Sequence, residues 1–285
     1  MIRHPMPYGN LLQQECQRFA NIDDLKRQKC TIEEMEEYEP LIERGAIVYA
    51  GVDYEKILRA AEKEAKVIIW DGGNNDFPFI MPNLLIVVTD PHRAGHELLY
   101  HPGETNFRMA DMIVINKMNT AKKKAIKEII ENAKLVNPNA RIVKANSELI
   151  APLAHKLRNK RVLVIEDGPT LTHGNMAYGA GIIVAKRYGA KIVAPHKYAI
   201  GTLKQELKKW KHLRNVLPAL GYGKRQIAEL RATINKTPCD YVVDATPVNL
   251  SRIMKLDKPI VEVSYELKEL GEPNLEDLLR KNKFI

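Results

Sequence analysis

Val67-Ile68-Ile69-Trp70-Asp71-Gly72-Gly73-Asn74-Asn75-Asp76 is the stretch whose reading decides the fold. Four apolar residues, short in extent and partly β-branched, run without alternation into an acid and a glycine pair. Such a run predicts a strand buried on both faces of a parallel sheet. Asp71 then emerges at the strand's C-terminal edge, where open α/β sheets bind their ligands. Gly72 and Gly73, lacking Cβ atoms, let a phosphate or a neighbouring backbone approach closely. P-loop nucleotide hydrolases hold Mg²⁺ with a carboxylate placed in this way. The plainer reading is a tight strand-to-loop turn.

Outward from this stretch, strands are expected at 45–51, 84–90, 112–117 and 140–144, with helices at 11–25, 31–39, 53–66 and 121–134. Thr31 and Glu34 stand at capping-box spacing. The pattern restarts beyond 147–159, with strands at 161–167, 191–195, 241–245 and 259–263 and helices at 176–188, 203–217 and 224–234. Strands alternating with helices indicate βαβ units. The expectation is an α/β protein of two domains, 1–150 and 151–285, the first a mostly parallel nucleotide-binding sheet. Met1 to Gly9 reads as the tail of a strand followed by a Pro/Gly loop, so the first strand is entered near its end.

The chain has 285 residues, 45% of them hydrophobic, enough for a sizeable core. No apolar run reaches the length of a membrane span and no signal-peptide pattern is present, which predicts a cytoplasmic protein. Cys16, Cys30 and Cys239 are scattered, arguing against a zinc knuckle or disulfide framework. A net charge of +9 suits polyanions, either nucleic acid or phosphorylated metabolites. Aromatic content is only 6%, without a basic-aromatic stripe, so nucleic acid is disfavoured and a phosphorylated small molecule preferred.

Asn116-Lys117-Met118-Asn119 follows a buried-type run. Guanine-nucleotide proteins carry Asn-Lys-x-Asp there, the acid accepting from the base. An amide at Asn119 gives up much of that preference for guanine. The connection from Asp90 to Arg108 holds Asp90, His92, Arg93, His96, Glu97, His101, Glu104 and Arg108. It reads as a phosphate-gripping loop with Arg93 and Arg108 as anion partners, as a metal site of His92, His96 and Glu97 with or without His101, or as an exposed polar loop. Gly168 to Asn175 leaves a strand ending in Glu166-Asp167 and enters a helix. Its backbone N–H groups, with Thr170 and Thr172, suit an anion, and His173 could transfer a proton; a simple glycine turn is the alternative. No G-x-x-x-x-G-K-[ST] phosphate loop occurs.

Several segments together resemble a known family. They are Arg3-His4-Pro5-Met6-Pro7-Tyr8-Gly9, Val48-Tyr49-Ala50-Gly51-Val52-Asp53-Tyr54-Glu55, Trp70 to Asp76 and Asp90-Pro91-His92-Arg93-Ala94-Gly95-His96-Glu97. Pro102 to Asp111 and Glu166 to Gly174 continue the pattern. The chain is similar, over essentially its whole length, to the cyclic 2,3-diphosphoglycerate synthetases, also labelled predicted GTPases. That resemblance implies a P-loop superfamily member that uses ATP, or GTP, with Mg²⁺ to close an anhydride on 2,3-diphosphoglycerate. It implies Asp71 as the Mg²⁺ ligand, with Arg93 and His173 also in the chemistry. Gly72, Gly73, Asn116, Lys117 and Asn119 would lie by the nucleotide. Arg3, His4, His96, Arg108, Gly168, Thr170 and Gly174 would lie by the substrate phosphates. Members carry the phosphate loop before the Arg-His-Pro segment, so a separate polypeptide bearing it is an expected partner. A non-catalytic GTPase-like module is the alternative, and homo-oligomerisation is left open.

Overall fold

A computed structural model describes residues 1–4, 10–73, 76–172, 177–220 and 224–285. The architecture is α/β, and the chain divides into two compact units, each drawn from separated stretches. One comprises Met1–Gln17, Tyr49–Glu148 and Glu266–Ile285; the other comprises Arg18–Val48 and Leu149–Tyr265.

The first unit is built on the strands Ile86–Thr89, Met112–Ile115 and Arg141–Ile150, paired in parallel, with Ser264–Glu269 beyond the last. Met112–Ile115 lies in the middle and is buried throughout. On one face Ile113 and Ile115 pack with Phe107, Ile129 and Ala133. On the other, Met112 and Val114 pack with Val143, Ala145 and Leu278. The same unit holds a short parallel pair, in which Ile2 and Arg3 lie opposite Tyr49 and Ala50.

The second unit has five parallel strands. Arg161–Asp167 is central, flanked on one side by Tyr241–Ala245 and then Ile260–Glu262. Its other side is shared: Lys191–Ile192 pairs with its beginning and Leu217–Ala219 with its end. Val162, Leu163, Val164 and Ile165 are fully buried, as a run of β-branched and Leu residues covered on both faces must be.

Four sequence expectations differ from the structure. Residues 67–70 form no regular strand; Trp70 makes only a bridge to Ile2, and Val67 and Ile69 are 43% and 55% exposed. Ile86–Thr89 is a strand, yet it stands at the sheet's edge with Ile86 and Val88 38% and 62% exposed. An apolar run does not say whether neighbours exist to cover it. The helix expected at 11–25 is replaced by the strand Gln17–Phe19 and the helix Ile22–Arg27. Asn21 starts that helix late by forming a capping box with Asp24. The helix expected at 203–217 is instead Gly201–Lys209, and Pro218 sits in the strand Leu217–Ala219. The box of Thr31 and Glu34 forms as the sequence predicts, opening Ile32–Glu43.

Candidate functional site

In the first unit, the end of the Ile2–Arg3 strand meets the segment around Asp71. Backbone bonds from Ile2 N–H to the Ile69 carbonyl (2.8 Å) and from Asp71 N–H to the Ile2 carbonyl (3.0 Å) lay the two side by side. The consequence is an ion pair between the Arg3 guanidinium and the Asp71 carboxylate. His4 follows directly. Its Nδ1 is 3.0 Å from the Tyr54 hydroxyl and its Nε2 is 3.4 Å from the Asp76 carboxylate. Three rings surround the imidazole edge-on: Tyr54, Trp70 and Phe79, with centroids 5.7, 5.8 and 6.3 Å away. Tyr54 and Phe79 are themselves stacked at 3.9 Å. Gly72 serves this packing, because a Cβ there would collide with the Trp70 indole.

Asn106, on the helix Gly103–Met109, donates through Nδ2 to the Asp76 carbonyl at 2.8 Å. That bond orients its Oδ1, which is buried with no hydrogen-bond partner among the described residues, as is the Trp70 indole N–H. A buried polar group left unmatched costs about 1–3 kcal/mol.

A second cluster occupies the C-terminal ends of Ile86–Thr89 and Met112–Ile115. Lys117, in a left-handed conformation (φ 55°), places Nζ 2.7 Å from the Asp90 carboxylate. Burial pushes the Asp90 acid upward, but hydrogen bonds from Lys117 and from the His92 N–H outweigh it and hold the group below its ordinary value. His92 Nε2 lies 2.8 Å from the Thr120 hydroxyl. Asn116 Oδ1 accepts from the Lys117 N–H at 2.7 Å. Asn119 faces Ser147: its Nδ2 donates to the Ser147 carbonyl (3.0 Å) and its Oδ1 accepts from the Ser147 N–H (3.4 Å). The amide matches a peptide group, which an acid could not do.

Arg93 ends the turn Pro91–Arg93, and His96 opens the helix His96–Leu99 with its ring 4.9 Å from that of Tyr100. Arg108 is turned along its own helix to Glu104, at 2.8 Å. Among the described residues no three His, Cys, Asp or Glu side chains converge as a metal site, neither His92, His96 and Glu97 nor any group around Asp71.

In the second unit, Gly168 begins the helix Gly168–Thr172. A Cβ at that position would lie 2.6 Å from the Ala219 carbonyl oxygen, so the glycine admits the neighbouring strand. Thr170 lies within this helix; His173 and Gly174 lie outside the described residues. Glu166, just before it, is buried and accepts from the Ile182 N–H at 3.0 Å, at the start of the helix Ala180–Arg187. Burial pushes its carboxyl up to about 7, against the pull of the N–H groups of Ile182, Gly179 and Gly181. Asp244, at the end of the adjacent strand, is likewise pushed up by burial, to about 6, although Thr246 and Leu250 donate to it. Glu166 and Asp244 were not among the expected site residues. The signal was present, since each closes an apolar run as Asp71 and Asp90 do.

No family model matches the chain. It is 59% identical over 281 residues to the arginine synthetase ArcE of Thermococcus kodakarensis. The chain is similar to an arginine synthetase. The alignment takes in 98% of this chain and 63% of the relative, so the chain spans less than two thirds of that protein's length. This corrects the family drawn from the motifs. A relative this similar carries the name of an arginine synthetase, not of a cyclic 2,3-diphosphoglycerate synthetase or a GTPase. The 2,3-diphosphoglycerate chemistry, the P-loop GTPase-like description and the non-catalytic alternative are set aside with it. No helix among the described residues is long and apolar enough to cross a membrane.

Proposed function

We propose that this chain carries the larger part of an ATP-dependent synthetase that forms arginine. The supporting observation is the 59% identity to the arginine synthetase over nearly the whole chain. A synthetase couples bond formation to cleavage of a nucleoside triphosphate, and its central need is charge placed against the transferring phosphoryl group. Lys117 and Arg93, at the C-terminal edge of the first unit's sheet, are the cations suited to that work. Asp71 and Asp76 are carboxylates suited to a cationic amino acid. His4, between the Tyr54 hydroxyl and Asp76, is placed to carry a proton. Mg²⁺ would arrive on the nucleotide, held largely by phosphates and water.

Calorimetric titration of the purified chain with L-arginine, ATP–Mg²⁺ and GTP–Mg²⁺ tests this reading. Saturable binding of arginine and of ATP, each weakened by Asp71→Ala or Lys117→Met respectively, is expected. A folded chain that binds neither would sink it.

A further inference from the structure

The edge strand Ile86–Thr89 is bare on the side where its sequence asks for cover. Leu84-Leu85-Ile86-Val87-Val88 has the composition of a strand enclosed by protein, with none of the lysines or prolines that guard exposed edges. Its inner edge is occupied: the carbonyls of Leu85 and Thr89 accept from Met112 and Asn116. Alternate residues of a strand direct their backbone groups the other way, so those of Ile86 and Val88 point outward. Among the described residues the strand stands last in its sheet.

One face is bare as well. Ile86 is in register with Met112 and Val88 with Val114. Met112 and Val114 are covered by Leu275 and Leu278 of the C-terminal helix Leu275–Lys281, and that cover stops short of the edge strand. On the opposite face Val87 is packed in the core. The segment 67–70 repeats the pattern, with Val67 and Ile69 exposed and one edge bonded to Ile2.

From this we infer that the outer edge and bare face of Ile86–Thr89 dock an α/β segment equivalent to the part of the T. kodakarensis protein that lies outside the alignment. More than a third of that relative has no counterpart in these residues, enough for several strands and helices. A strand from it would bond along Ile86–Thr89, and a helix would continue the layer begun by Leu275–Lys281 over Ile86 and Val88. The inference rests on relatedness, not on the arginine-forming activity proposed above, and its readouts are of association alone.

Hydrogen exchange compares the 285-residue chain with the intact T. kodakarensis protein. Amides aligned with Ile86–Thr89 should exchange at least tenfold more slowly in the intact relative; equal rates overturn the inference. Co-expression of the chain with the remaining segment of the relative should give a one-to-one complex by light scattering. Val88→Glu should leave the chain's own melting temperature unchanged and weaken the complex at least tenfold. A complex indifferent to Val88→Glu, or a chain that dimerises through this face and becomes monomeric in Val88→Glu, counts against it. If the segment proves insoluble, the exchange comparison decides.

Discussion

Glu166 makes the stability of the second unit depend on pH in a calculable way. Its carboxyl is buried at the end of the central strand, and its folded value of about 7 exceeds the ordinary 4.5. The folded state therefore holds the proton more tightly than the unfolded one. Stability from this group is complete below pH 4.5 and is lost as pH rises through about 7. At about 1.4 kcal/mol per pH unit, the loss is about 3 kcal/mol. Asp244, raised from 3.8 to about 6, adds a loss of similar size that starts at lower pH. Glu166→Gln removes the titration while its amide oxygen still accepts from the Ile182 N–H. The two tryptophans lie one in each unit, so a Trp70→Phe background lets Trp210 fluorescence follow the second unit in urea. The difference in unfolding free energy between parent and Glu166→Gln should shift by about 3 kcal/mol between pH 4.5 and 7.5. A flat difference would refute the assignment; Asp244→Asn isolates the other contribution.

Three further outcomes follow from the geometry. Lys117→Met takes away the strongest group opposing burial at Asp90, so the Asp90 pKa should rise in a carbon-detected NMR titration; an unmoved value would contradict the pairing. Gly168→Ala drives a Cβ against the Ala219 carbonyl, and should cost the second unit about 1–3 kcal/mol in denaturant unfolding. Asn119→Asp leaves the Ser147 carbonyl facing an acceptor. It should lower stability by about 1 kcal/mol without creating a preference for GTP over ATP, as competition binding would show.

Much of the α/β framework was legible in local pattern. Met112–Ile115 and Arg161–Asp167 read as enclosed strands and are enclosed, because each lies between other strands and under helices on both faces. The Thr31 box reads from two residues three apart, and its bonds are local. The placing of acids at strand ends was legible for the same reason at Asp90, Glu166 and Asp244, each of which closes an apolar run; Asp71 closes one too, but that run is not a strand.

What each acid does was settled by its partners, which come from far along the chain. Asp71 meets Arg3, Asp90 meets Lys117, and Glu166 meets the start of the Ala180–Arg187 helix. The aromatic setting of His4 draws on Tyr54, Trp70 and Phe79, and no spacing in the sequence links them. Burial is a property of neighbours as much as of composition, so the apolar runs at 67–70 and 84–90 could announce a need for cover but not its presence. The assignment of Arg18–Val48 to one unit and Glu266–Ile285 to the other is of the same kind. The sequence by itself determined the enclosed strands Met112–Ile115 and Arg161–Asp167, the Thr31 cap and the acids that close apolar runs, since those depend on a few adjacent residues. Only the tertiary structure decided which charges meet, which carboxyls hold their protons more tightly and which apolar faces are left bare, since those energies depend on groups the chain brings together by folding.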